Sequence, residues 1–171
     1  MNKRENLWAP WRIGYVGSPQ KKGCFLCSVR KDGNDGSNFV LYRGRHAFAV
    51  LNLYPYNNGH IMVVPNRHIR NFENLREDEE KECMAIIRAT LKILKKILKA
   101  EGFNIGLNLG KVSGAGLESH LHFHVVPRWT GDTNFMPVIT GTKVISQSLE
   151  ELYSILKGEF EVFIKREKKG F

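Results

Sequence analysis

Residues 118–129 read Glu118-Ser119-His120-Leu121-His122-Phe123-His124-Val125-Val126-Pro127-Arg128-Trp129. Three histidines alternate with Leu, Phe and Val, the period of a strand with two unlike faces. His120, His122 and His124 are expected on one face and Leu121, Phe123 and Val125 on the other, with Pro127 ending the strand because it has no ladder donor. Imidazoles two residues apart stand roughly 7 Å from one another on a strand. Such a row suits a metal, a polyphosphate, or a nucleophile with its acid partner. A half-polar strand facing water is the plainer reading, but three of the chain's six histidines fall within five positions.

Outward from this stretch, the chain reads as strands around one main helix. Phe39-Val40-Leu41-Tyr42 and His46 to Leu51 form a hairpin around Arg43-Gly44-Arg45, and His60-Ile61-Met62-Val63-Val64 makes the next strand, stopped by Pro65. Asn74-Leu75-Arg76-Glu77 has the form of a capping box. Met84, Ile87, Leu91, Leu94 and Leu98 then give an amphipathic helix, with Cys83 a buried spectator and Gly102 the left-handed stop. Phe103 to Leu109 alternates as a strand, followed by a glycine turn from Gly110 to Gly116, where backbone can approach a ligand closely. Ser148-Leu149-Glu150-Glu151 starts a short helix that Gly158 stops, and Phe160, Val162 and Ile164 alternate after it. The expected fold is α+β: antiparallel strands, one long and one short helix, the sheet covered on one side. Residues 1–20 read as an arm, 21–158 as the domain and 159–171 as an extension.

The 171 residues suit one domain, and no apolar run approaches the roughly 20 residues of a membrane span. Three cysteines, two of them in Cys24-Phe25-Leu26-Cys27, suit a reducing compartment, and the expected location is cytoplasmic. The Cys-x-x-Cys pair could share a zinc ion given two further ligands; redox chemistry and plain burial compete. A net charge of +9 favours anionic partners. Much of it lies on Lys92, Lys95, Lys96, Lys99 and Lys165 to Lys169, a solvated helix face and a tail. No stripe of basic residues interleaved with aromatics appears on one element, so nucleic acid is not the expected partner.

The pattern His-Leu-His-Phe-His-Val-Val resembles the motif of the histidine-triad superfamily of nucleotide hydrolases and transferases. Gly114-Ala115-Gly116 before it, Pro127-Arg128-Trp129 and Gly131 to Pro137 after it, and Leu7-Trp8-Ala9-Pro10-Trp11-Arg12 make it similar to the bacterial branch associated with diadenosine tetraphosphate phosphorylases. The resemblance spans roughly residues 7 to 156. It implies a five-stranded antiparallel sheet paired edge to edge in a homodimer, and cleavage of dinucleoside polyphosphates. His122 would be the nucleophile that becomes nucleotidylated, with a backbone carbonyl on its other ring nitrogen. His124 would bond phosphoryl oxygens or the leaving group, with His60 nearby. Asn52 matches a ribose-binding position, whose plainer role is to cap the strand end, and for His60 the alternative is a core histidine. Asn108, Gly114, Ala115 and Gly116 match phosphate-binding positions. Gly116 and Leu117 stand where many members carry Gln then Ser or Thr, so backbone amides take over that contact. The resemblance completes a structural zinc site from Cys24, Cys27, His68 and His120, closed to substrate. Two rival readings are hydrolysis of adenosine phosphoramidates by the same nucleophile, and a zinc-stabilised nucleotide-binding module without turnover.

Overall fold

The computed structural model describes residues 23–133, 139 and 144–167; the expected arm and the stretch Asn134-Phe135-Met136-Pro137 lie outside them. Five strands, β1 (Val40–Arg43), β2 (Ala47–Leu51), β3 (Ile61–Pro65), β4 (Gly102–Leu107) and β5 (Phe123–Arg128), form one antiparallel sheet in the order β1-β2-β3-β5-β4. Three helices accompany it: α1 (Phe25–Asp32), α2 (Glu77–Leu98) and α3 (Leu149–Glu167).

The period-2 pattern divides the strands cleanly. Ala47, Ala49, Leu51, Ile61, Val63, Phe123 and Val125 face α2 and α3, meeting Ile86, Ile93, Leu94, Leu152, Leu156 and Phe160. Phe48, Val50, Met62 and Val64 face the other way, where Leu26 of α1 fills the middle of a second cluster. The sheet is therefore covered on both sides at its β1–β2–β3 end, not on one. The short helix α1 leaves little periodic signal around its cysteine pair, because only one of its side chains, Leu26, is buried.

Three boundaries differ from expectation. α2 begins at Glu77, and its box is closed by Glu79, whose carboxylate accepts from the Arg76 N–H at 3.0 Å; Phe72–Asn74 is a separate 3-10 turn. The left-handed residue that ends α2 is Lys99 (φ 54°), whereas Gly102 opens β4. The Trp129 indole N–H caps this end, donating to the carbonyls of Leu98 and Lys99. α3 does not stop at Gly158. Leu152, Leu156 and Phe160 recur at four-residue spacing and all are buried, so the helix period overrides the alternation of Phe160 and Val162. A helical glycine costs about 1 kcal/mol against alanine, whereas burying a phenylalanine contributes about 2–3 kcal/mol.

Pro65 and Pro127, expected to stop their strands, are themselves strand residues. β5 runs through Pro127, which pairs with Phe103. Arg128 accepts from the Glu101 N–H, so the Pro127 nitrogen points the opposite way, beyond the last β3 pair, Ile61 with Val125. No ladder bond is lost there. Pro65 closes β3 opposite Ala47. Among the described residues no helix is long and apolar enough to cross a membrane.

Candidate functional site

β5 begins at Phe123, so of the three histidines only His124 is a strand residue. His120 and His122 precede it, and Leu121 bonds the Ile69 carbonyl instead of a ladder partner. The expected row on one face is thus broken, and His120 turns toward a different set of neighbours. Its Nδ1 lies 3.2 Å from Cys24 Sγ and 3.5 Å from Cys27 Sγ, while His68 Nδ1 lies 3.3 Å from Cys27 Sγ. The four ligand atoms fall within 4.8 Å of one another. A tetrahedral zinc with two sulfurs and two nitrogens needs separations of roughly 3.3–3.8 Å. His120 Nε2–H donates to the Pro65 carbonyl at 2.9 Å, which leaves Nδ1 with its lone pair toward the sulfurs. These residues fit a zinc ion. Burial and the neighbouring Cys24 raise the Cys27 pKa.

α1 brings the two cysteines here. Cys24 is its N-cap and Cys27 sits in its first turn. Arg43 of β1 holds the other end, donating to the carbonyls of Val29 and Arg30 and to Asp35.

The second cluster comprises His122, His124 and His60. His122 Nδ1 donates to the His120 carbonyl at 2.8 Å, which fixes the tautomer and leaves Nε2 unprotonated. His60 Nδ1 accepts the Tyr56 backbone N–H at 3.0 Å, so its proton sits on Nε2, which donates to His124 Nδ1 at 2.9 Å. His124 in turn carries its proton on Nε2; the Asn108 amide nitrogen lies 3.5 Å away, and the amide turned oxygen-first would accept that proton's hydrogen bond. The His122 and His124 rings meet edge to face, centroids 4.8 Å apart. All three are buried. Burial lowers each pKa: His60 to about 3, helped by His124 and His122; His124 to about 4, helped by His122. For His122 burial again lowers it, against the opposing bond to His120. The cluster therefore holds three neutral imidazoles, with one basic and one acidic ring nitrogen adjacent.

Among the other expected residues, Asn52 reaches the cluster, but its amide nitrogen donates to His60 Nδ1 (3.3 Å) and its oxygen accepts from Tyr54 (2.9 Å). In the glycine turn, Gly114 takes a left-handed φ of 88° that suits glycine, and its N–H bonds the Lys111 carbonyl. Gly116 has open space where a Cβ would stand. Cys83 is buried in the core, its thiol pushed up to about 12 mainly by that burial.

Tyr56 joins the site without being among the residues expected from the sequence. Its ring lies 4.6 Å from that of His60 and 5.4 Å from that of His124, with half of the residue exposed. Two tyrosines around a proline, between Asn52 and His60, were the available signal. Asn57 latches this loop, its amide donating to the Pro127 carbonyl and to Asp132. Gly59 closes it with φ 77°, and a Cβ there would meet Leu98 Cδ1 at 2.8 Å.

The HIT domain family matches residues 34–131, more than half of the chain. The AP-4-A phosphorylase of Mycobacterium tuberculosis is 39% identical over 172 residues, covering 91% of this chain and 84% of that protein. The asymmetrical bis(5'-nucleosyl)-tetraphosphatase of Schizosaccharomyces pombe is 30% identical over 93 residues, covering 54% and 50%. In fold, a zinc-bound histidine triad family protein from Mycobacterium smegmatis superposes with a TM-score of 0.67 at 22% identity, covering 84% of this chain and 97% of that one. The triad spacing, the sheet that carries it and these matches together place the chain in the histidine-triad (HIT) superfamily, on its AP-4-A phosphorylase-like branch.

Proposed function

We propose that this chain cleaves dinucleoside polyphosphates of the diadenosine tetraphosphate type through a nucleotide held covalently on His122. The observation that carries the reading is the bond from His122 Nδ1 to the His120 carbonyl, because it leaves a neutral Nε2 lone pair in a buried site. An α-phosphorus surrounded by negative oxygens is best attacked by a neutral nucleophile. Nε2 forms the N–P bond as the P–O bond to the polyphosphate breaks, so diadenosine tetraphosphate releases ATP and leaves AMP on His122. His124 Nε2–H supplies the proton or hydrogen bond that the departing oxygen needs, and His60 holds His124 in that tautomer. A second acceptor then displaces the imidazole: phosphate gives ADP, water gives AMP. The names of the M. tuberculosis and S. pombe relatives support this substrate class, and the first supports phosphorolysis.

Cys24, Cys27, His68 and His120 would hold a structural zinc, which clamps α1 to the segment before β5 and offers no open position to substrate. Two copies would pair along β4, an edge strand that exposes Asn104, Ile105 and Gly106. Light scattering checks the pairing: Ile105→Lys gives a monomer where the unaltered chain gives a dimer. For the reaction, products from diadenosine tetraphosphate are separated with and without phosphate. ADP with ATP means phosphorolysis, AMP with ATP means hydrolysis, and no product from either sinks the proposal.

A further inference from the structure

We infer that the surface beyond His124, along β5 and β4 to Arg128, is the subsite for the polyphosphate chain that leaves. It rests on His122 being the nucleophile. In-line displacement drives the leaving oxygen away from the attacking nitrogen. β5 runs from His122 past His124, and His124, Val126 and Arg128 share the face turned away from the helices. Their partners on β4 are Gly106, Asn104 and Gly102. Gly106 leaves the space beside His124 open, with nothing within 4 Å of where a Cβ would stand. Next along the strand is a cavity of about 200 Å³ lined by Tyr56, Asn57, Asn104, Val126 and Arg128. Tyr56, whose ring lies 5.4 Å from that of His124, walls it on the side of the reacting centre. Arg128 lies four residues beyond His124, roughly 13 Å along a strand, a distance that a triphosphate with its ribose spans.

Arg128 is built to read an anion there. Its side chain is 46% exposed. Nε and Nη2 donate to the two oxygens of Asp132, and Nη1 donates to Asn104 Oδ1. A guanidinium has five N–H donors in a fixed plane, so this pattern orients the group and leaves two for a ligand. Asp132 is itself buried, at 6% side-chain exposure, and receives Asn57, which ties the Tyr56 loop to the same support. The bonds from below thus aim the guanidinium and place the aromatic wall beside it.

Inorganic tripolyphosphate, the bare form of the leaving chain, is the probe. Titrated calorimetrically into the full chain, it is expected to bind with a Kd at least tenfold weaker in Arg128→Gln. Arg128→Lys, which keeps the charge but loses the fork, falls between the two. Asp132→Asn removes the negative charge beside the guanidinium while its amide oxygen still accepts one of the two orienting bonds, and is expected to bind at least as tightly as the unaltered chain. In turnover, Arg128→Gln lowers the preference for diadenosine tetraphosphate over the p-nitrophenyl ester of AMP at least tenfold. If Asp132→Asn weakens tripolyphosphate binding as much as Arg128→Gln does, Arg128 is only a latch and the subsite is overturned. Unchanged affinity in Arg128→Gln, or no binding by the unaltered chain, overturns it as well. Tripolyphosphate binding that depends on Arg128, with no AMP ever found on His122, keeps an anion subsite and removes the nucleophile.

Discussion

His60 Nε2 stands 2.9 Å from His124 Nδ1, and both rings are buried, so one proton is held between two imidazoles that cannot both be charged. The arrangement costs stability in acid. Their pKa values lie near 3 and 4 in the fold and about 6.5 in the unfolded chain. Below 6.5 the unfolded chain takes up protons that the folded one refuses, so unfolding is favoured as the pH falls. Stability from this pair is complete above 6.5 and is lost progressively toward pH 4 and below. Urea melts at pH 7.5 and pH 5 measure it: the unaltered chain loses stability between them, and His60→Asn loses less. Equal losses in the two would remove the pair as the cause.

Replacing His122 with alanine is expected to lower turnover by roughly 1,000-fold or more while the thermal midpoint stays within a few degrees. Denaturing mass spectrometry after mixing with substrate shows an AMP adduct on the unaltered chain and none on the variant. A residual rate above a few per cent moves the nucleophile elsewhere.

Metal analysis of freshly purified protein should give one zinc per chain. Chelation, or Cys27→Ala, is expected to lower the thermal midpoint by on the order of 10 °C, because the cluster ties the start of α1 to the segments after β3 and before β5. A zinc-free protein with an unchanged midpoint after chelator treatment would falsify the site.

Glu82 on α2 accepts the backbone N–H groups of Arg45, His46 and Ala47, holding the turn between β1 and β2 with one carboxylate. Glu82→Ala leaves these donors without their partner and should cost about 3 kcal/mol, read as a shifted urea midpoint. Gln in its place recovers part of the loss, since it retains an acceptor oxygen but no charge.

Much of this site could be read from the sequence because alternation and turn chemistry are local. The strands around Phe48, Met62 and Val125 appear where period 2 places them, and the Ser148 hydroxyl accepts from the Glu151 N–H as its spacing implied. Cys24, Cys27, His68 and His120 were grouped by resemblance, not by spacing: residues nearly a hundred positions apart carry no mutual signal in one chain. What escaped were features decided by tertiary contacts. Lys99, not Gly102, ends α2 in the left-handed region because Trp129 holds the carbonyls there. His120 leaves the strand because Pro65 and the two thiols hold both of its ring nitrogens. Tyr56 gave no period at all, since a loop side chain is placed by its anchors, Asn52, Asn57 and Gly59.

The span shared with the family ends at residue 131, yet the inner wall beside β1 and α2 is completed by Leu152, Leu156 and Phe160 of the final helix. A fragment trimmed to the shared span would keep every histidine and still gape on both faces of the sheet, since it loses this helix on one side and α1, with Leu26, Cys24 and Cys27, on the other. Transplanting the reacting centre into a smaller scaffold therefore means bringing both flanking helices along, although neither supplies a residue to the chemistry.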